Sequence, residues 1–194
     1  MKKSPLNTKD SFSSPAFFSI RQIAVIGLMT GITCILAPCS LPIGPVPISL
    51  TNLVIYFSLY LLGTRDASIS YLVYLLIGLA GMPVFSGFTS GPEKLFGPTG
   101  GYLAGFLPMA VIAGIFIEKF SSSRILCLIG MILGTIVCYV LGTSWLAFQA
   151  NLDFKSALFA GVIPFLPGDL IKMVLAMTLG PQIRSQLIRS GLDS

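Results

Sequence analysis

Histidine is absent from these 194 residues. That removes the commonest general base, the Ser-His and Cys-His nucleophile pairs, and every imidazole metal ligand. Charge is scarce as well. Only 10% of the residues are Asp, Glu, Lys or Arg, where a soluble domain carries about 25%. A chain so short of charge cannot cover a water-facing surface. Hydrophobic residues make up 54%, the mean hydropathy is +0.89, and apolar runs recur along the whole length. These features read as an integral membrane protein rather than a soluble protein with one very large core. The four cysteines, Cys34, Cys39, Cys127 and Cys138, form no CxxC pair. They read as small apolar residues in helices or at helix ends, and spacing gives no support to a Cys34–Cys39 disulfide. No GK[ST] loop follows a strand, so the chain does not bind ATP by the usual phosphate-cradling loop. The net charge of +5 comes without a basic run and interleaved aromatics. It therefore points to membrane orientation and not to nucleic acid.

Residues 1–20 are polar, lysine-tipped and Ser/Pro-containing, and read as a flexible N-terminal tail. A cleaved signal peptide fits less well, because the apolar run starts late and no A-x-A-like site follows a short core. Residues 21–184 then carry six apolar segments, and 185–194 form a C-terminal tail. The segments are approximately Ile20–Ala37, Ile48–Leu62, Ala67–Val84, Pro98–Ile117, Ile125–Phe148 and Ala157–Leu179. Continuous rather than alternating apolar runs favour helices over a barrel. The expected fold is thus an all-α bundle of six transmembrane helices. Pro98 is expected at the first helical position of the fourth, and Pro164 and Pro167 are expected to break the sixth. PCSLPIGPVP, between the first two segments, has four prolines and no charge, which forbids a regular helix.

Orientation follows from lysine and arginine. With six spans, nine of the twelve fall on the side of the tails and even-numbered connections, and only Lys94, Lys155 and Lys172 on the other. That bias puts both termini in the cytoplasm. The Pro-rich first connection, the Gly-rich third one and the outer end of the sixth span then share the opposite face.

At that end lies PFLPGDLIK, residues 164–172. Asp169 and Lys172 share a helix face at i and i+3. An ionisable residue within a span costs at least about 2.5 kcal/mol on the lenient insertion scale. Two readings stand: a ligand-reading pair, or a structural ion pair with Lys172 snorkelling to the interface. Pro167 and Gly168 favour the first, since a broken helix would leave N–H groups available near Asp169. A second stretch, LFGPTGGYL at 95–103, has glycines that allow close backbone approach and a helix start that favours an anion. A tight loop entering a membrane helix would look the same.

Together these pieces resemble the BioY family, the biotin-binding S components of energy-coupling factor (ECF) vitamin transporters. The resemblance covers nearly all of 21–184. It is carried by GPVPISLTNL at 44–53, YLLIGLAGMPVF at 74–85, GPTGGYLAGF at 97–106, SWLA at 144–147 and GVIPFLPGDLIK at 161–172. After the VPI motif the family often has glutamine where this chain has Thr51, followed here by Asn52. The resemblance implies a prokaryotic cell-membrane protein with an outward-facing biotin pocket. It also implies partners, namely a transmembrane coupling protein and two ABC-type ATPases, with membrane lipid around them. Biotin enters as transported substrate, and no cofactor is expected.

On that resemblance Asp169 accepts a ureido N–H, and Lys172 donates to the ureido carbonyl or the ligand carboxylate. Lys94 or the GPTGG amides, Gly100 among them, hold the carboxylate. Tyr102 and Trp145 pack against the bicyclic ring or serve as ordinary interface aromatics, and Asn52 supplies a further polar contact. PCSLPIGPVP is expected to lie over the pocket. Ala24, Gly27 and Gly31 form a strip of small residues on the first helix, either for the coupling protein or for packing inside the chain's own bundle. Two other classes compete. A stand-alone ion-coupled carrier would use Asp169 as its proton site. An intramembrane enzyme lacks support, since there is no histidine, no paired carboxylates and no serine near Lys172 in sequence.

Overall fold

A computed structural model describes residues 19–42 and 46–189. The expected tail therefore lies outside the described residues as far as residue 18, and residues 190–194 lie outside them too. The order is α1 (Ile20–Leu36), β1 (Ser40–Leu41), β2 (Ile48–Ser49), α2 (Thr51–Leu79), α3 (Pro92–Phe96), α4 (Gly100–Lys119), α5 (Arg124–Ala150), α6 (Phe154–Gly161) and α7 (Leu166–Arg189). The fold is helical, as its continuous apolar runs require. α4 and α5 are each long and apolar enough to cross a membrane, and α6 with α7 pass the same test as a pair bent by 50°. α5 exposes Ile129, Leu133, Ile136 and Val140 along one face, the helical spacing of a lipid-facing stripe.

Two expected segments, the second and third, form one helix with a break. Gly63 has φ 81° and ψ 176°, a region essentially reserved for glycine. The helix restarts there, and the Glu118 carboxylate at the end of α4 accepts the Thr64 N–H at 2.6 Å. α2 ends at Leu79, short of the expected Val84, because Gly81 adopts φ 104° and Pro83 follows. α4 begins at Gly100 with Thr99 as its cap, so Pro98 precedes the helix instead of opening it. α7 continues through residues 185–189.

The sixth segment breaks over 162–165. Pro167 sits in the first turn of α7, where a missing N–H costs nothing. The Asp169 N–H donates to Phe165 O at 2.8 Å. The Asp169 amide is therefore already engaged and is not one of the free N–H groups expected at this break.

Packing uses small residues and interhelical hydrogen bonds, as it must where lipid is as apolar as the core. α4 runs closely along α5, α1 against α2, and α2 against α4 and α7. A Cβ at Gly134 would come within 2.7 Å of Met109 O, and one at Gly105 within 3.2 Å of the Cys138 backbone. Those glycines set the α4–α5 distance. Thr30 and Ser70 hydroxyls meet at 2.9 Å between α1 and α2. Tyr71, Tyr74, Phe85 and Phe106 form an aromatic cluster with edge-on contacts. The Tyr71 hydroxyl donates to Leu103 O at 2.8 Å. All four cysteines are free thiols.

Candidate functional site

The prolines at 38, 42 and 47 disfavour a helix between α1 and α2, where the described residues form two short paired strands. β1 and β2 pair antiparallel, with Ser40 opposite Ser49 and Leu41 opposite Ile48. Beneath this strap lies a cavity of about 60 Å³, room for roughly four to six water-sized groups. Val46, Pro47 and Ser49 of the strap contribute to its lining, and α2, α4, α5 and α7 supply most of the rest. Tyr74, Tyr102, Phe106 and Phe165 make much of the wall aromatic.

One polar cluster is buried in that wall. Asn52, Asp169 and Lys172 are only 4%, 6% and 8% exposed. Asp169 lies in the first turn of α7, where the positive end of the helix dipole favours a carboxylate. Its Oδ1 accepts from Asn52 Nδ2 at 2.8 Å and from Lys172 Nζ at 3.0 Å. Its Oδ2 accepts from the Tyr139 hydroxyl at 2.5 Å. Lys172 Nζ also donates to Ser49 O at 2.7 Å and to Asn52 Oδ1 at 3.0 Å. The i, i+3 spacing therefore makes a true ion pair, and strap, α2, α5 and α7 converge on it. A buried pair needs further hydrogen bonds to offset its desolvation, and here Asn52, Ser49 and Tyr139 supply them.

Asp169, Lys172, Asn52 and Tyr102 thus line one cavity, although 120 residues separate Asn52 from Lys172 in sequence. The Tyr102 side chain fits against Gly142 and Gly161, where a Cβ would come within 2.2 Å of its ring and 2.1 Å of its hydroxyl oxygen. Its hydroxyl lies 3.2 Å from Thr143 Oγ1. Lys94, Gly100 and Trp145 are not among the cavity's lining residues. Trp145 Nε1 donates to Gly97 O at 2.9 Å, and its side chain covers Gly101, where a Cβ would lie 2.3 Å from Trp145 Cβ. It clamps the GPTGG turn from the far side. Gly100 lets the turn pass under α3, since a Cβ there would overlap Leu95 O. Lys94 is half-buried on α3, and burial lowers its pKa from the ordinary lysine value.

Several lining groups escaped the sequence reading, three polar side chains among them. Tyr139 and Thr135 stand four apart in an otherwise apolar run, which was a visible signal. Thr135 hydrogen-bonds the buried Tyr56 hydroxyl at 2.6 Å. The third is Thr99, whose buried Oγ1 has no hydrogen-bond partner among the described residues and borders the cavity. Ser49 joins the cluster through its backbone carbonyl, which no side-chain pattern signals.

Chemically, the arrangement is an aromatic-walled slot with one ion pair and its hydrogen-bond partners at its wall. It suits recognition of an uncharged polar ring by directed hydrogen bonds.

Comparison with known proteins gives a consistent picture. The family model described as BioY family matches residues 6–189. The biotin transporter BioY of Thermotoga maritima is 35% identical over 165 residues, covering 85% of this chain and 96% of that protein. The biotin transporter BioY2 of Lactococcus lactis subsp. cremoris is 37% identical over 159 residues, covering 82% and 87%. The crystal structure of an S-component for biotin from an ECF-type ABC transporter superposes with a TM-score of 0.78. It shares 32% identity and covers 86% of this chain and 92% of that one.

Proposed function

This chain belongs to the BioY family, and on that premise we propose that it captures biotin as the S component of an ECF-type transporter in a prokaryotic membrane. The observation that carries the reading is the buried Asn52–Asp169–Lys172–Tyr139 cluster facing an aromatic cavity beneath the strap. The ureido ring of biotin is uncharged, planar and bordered by N–H, C=O and N–H. It matches a wall of directed donors and acceptors, while its thiophane ring and tail suit aromatic surface. A ligand lacking those groups would leave buried polar atoms unpaired, which is the physical source of selectivity. The test is equilibrium binding of biotin to the purified protein, with thiamine and riboflavin as controls. Submicromolar binding of biotin alone is the expected result. Absence of biotin binding by folded protein defeats the reading.

Several finer features belong to the same proposal. The break at Gly63 lets the two arms of α2 act as separate spans. With α1, α4, α5 and the bent α6–α7 pair this makes six, both termini being cytoplasmic by the lysine and arginine bias. The strap is the part that admits ligand, because the cavity beneath it is smaller than a bicyclic ring with its tail. Asp169 and Asn52 read the ureido edge, and Tyr102 bears on the rings. Lys94, Gly100 and Trp145 act from the GPTGG turn. They either reach the ligand's carboxylate once the strap moves or shape the turn that does.

Energy must come from partners. Ala24, Gly27 and Gly31 are exposed, and a Cβ at either glycine would meet nothing within 4 Å. That favours a partner-facing strip over packing inside the chain's own bundle. Ala24 and Leu28 also border a hollow of about 370 Å³ between α1, α2 and the end of α7. We assign this face to the coupling protein, with two ABC-type ATPases beneath it and the plasma membrane as the setting.

A further inference from the structure

Hydrogen-bond capacity in the cluster can be counted atom by atom. An ammonium has three donors, and those of Lys172 go to Ser49 O, Asn52 Oδ1 and Asp169 Oδ1. Asn52 Oδ1 has two lone pairs, taken by Lys172 and by the Leu53 N–H at 3.1 Å. Asp169 Oδ1 likewise accepts twice, from Asn52 and Lys172. What remains is specific. Asp169 Oδ2 accepts once, from Tyr139, so one lone pair is open. Asn52 Nδ2 donates once, so one N–H is open. Both atoms belong to residues that line the cavity, and Tyr139 lines it beside them. Among the described residues, the Asn52–Asp169–Lys172 cluster therefore keeps one open acceptor position, on Asp169 Oδ2, and one open donor, on Asn52 Nδ2.

We propose that Tyr139 is a positioning residue that sets the specificity of this site. It holds the Asp169 carboxylate by Oδ2 and leaves a single lone pair there for a single N–H of a cyclic urea, whose carbonyl meets the open Asn52 N–H. Without the tyrosine hydroxyl, Oδ2 has two open lone pairs and no hydrogen-bond partner among the described residues. Oδ1 is held from two sides, whereas Oδ2 is held only by Tyr139 among the described residues. Lys172 then works mainly as the tie between the strap and the carboxylate, because engaging a ligand requires it to give up an existing bond. The inference rests on the reading of the chain as a biotin-binding protein.

The experiment uses the full chain, with biotin and its two derivatives carrying one methyl group on either ureido nitrogen. Wild-type protein is measured first. If it binds no biotin, the functional reading fails and not the role of Tyr139. If it binds, at least one methyl derivative should bind far more weakly. Tyr139→Phe should then weaken biotin by about tenfold, the scale of one damaged buried polar contact, and narrow the ratio between biotin and the disfavoured derivative. Placing 4-aminophenylalanine at position 139 restores a donor at the same point and should widen the ratio again. Unchanged affinity and ratio in Tyr139→Phe would overturn the proposal. So would an equal loss for all three ligands, which marks a merely structural role. Should the phenylalanine variant fail to fold, a folded 4-aminophenylalanine protein without discrimination overturns it equally.

Discussion

At the scale of single residues, the scarcity of charge made the few ionisable groups worth following. Asp169 and Lys172 were visible because each stands out in an apolar run, and the i, i+3 spacing already placed them on one face. Their partners were hidden, because Asn52, Tyr139 and the Ser49 carbonyl reach them from distant points in the chain. The same geometry says what loss of the charge should do. Asp169→Asn exchanges one acceptor oxygen for an amide, so either the Tyr139 hydroxyl or the Asn52 and Lys172 donors face another donor. Biotin binding should weaken by at least about 1–3 kcal/mol, roughly tenfold or more, while the protein still inserts. Titration of the purified variant checks this, and unchanged affinity would make the pair structural only.

Elements were legible where periodicity was long and blurred where glycine and proline interrupt it. α5 matched its expected segment within two residues at either end, because nothing in that run disturbs a helix. The break at Gly63 could be expected from Gly63 and Arg65-Asp66, but not that Glu118 would cap the second arm. Gly63→Ala should cost about 1–3 kcal/mol of stability. The alanine backbone must hold φ near +81°, and its Cβ would lie 2.8 Å from Glu118 Oε1. A lowered melting temperature in detergent, with biotin affinity retained in the folded fraction, is the expected outcome. An unshifted melt would show that the arm junction tolerates a side chain. The strap makes a separate prediction. Cys39 is exposed and lies next to β1. Biotin should protect it from a water-soluble thiol reagent, because a filled cavity holds the strap down and prolines reduce the entropy lost on closing. Equal labelling rates with and without biotin would count against a moving strap.

The whole molecule is a bundle whose interior is set by small residues and whose exterior is apolar, so its assembly with other proteins depends on close packing and not on hydrophobicity. The strip Ala24, Gly27, Gly31 is where this can be tested without disturbing the fold, since space is open at both glycines. The double change Gly27→Trp and Gly31→Trp should leave biotin binding by the isolated protein intact. Co-purification with the coupling protein and ATP-driven uptake should both fail. Joint loss of binding and assembly would instead mean that the strip packs within the chain.

Composition by itself determined that this is a membrane protein without histidine chemistry, because so few charged residues cannot cover a water-facing surface and no imidazole is present. Motif order pointed to the family, and the spacing of Asp169 and Lys172 pointed to the face. Only the tertiary structure decided which polar groups meet. Hydrogen bonds depend on distances of tenths of an ångström between helices, and those distances follow from how Gly105, Gly134, Gly142 and Gly161 let other helices and the Tyr102 side chain approach. The same packing set Trp145 behind the GPTGG turn and Tyr139 on the open oxygen of Asp169, positions that depend on neighbouring helices and so leave no local pattern in the sequence.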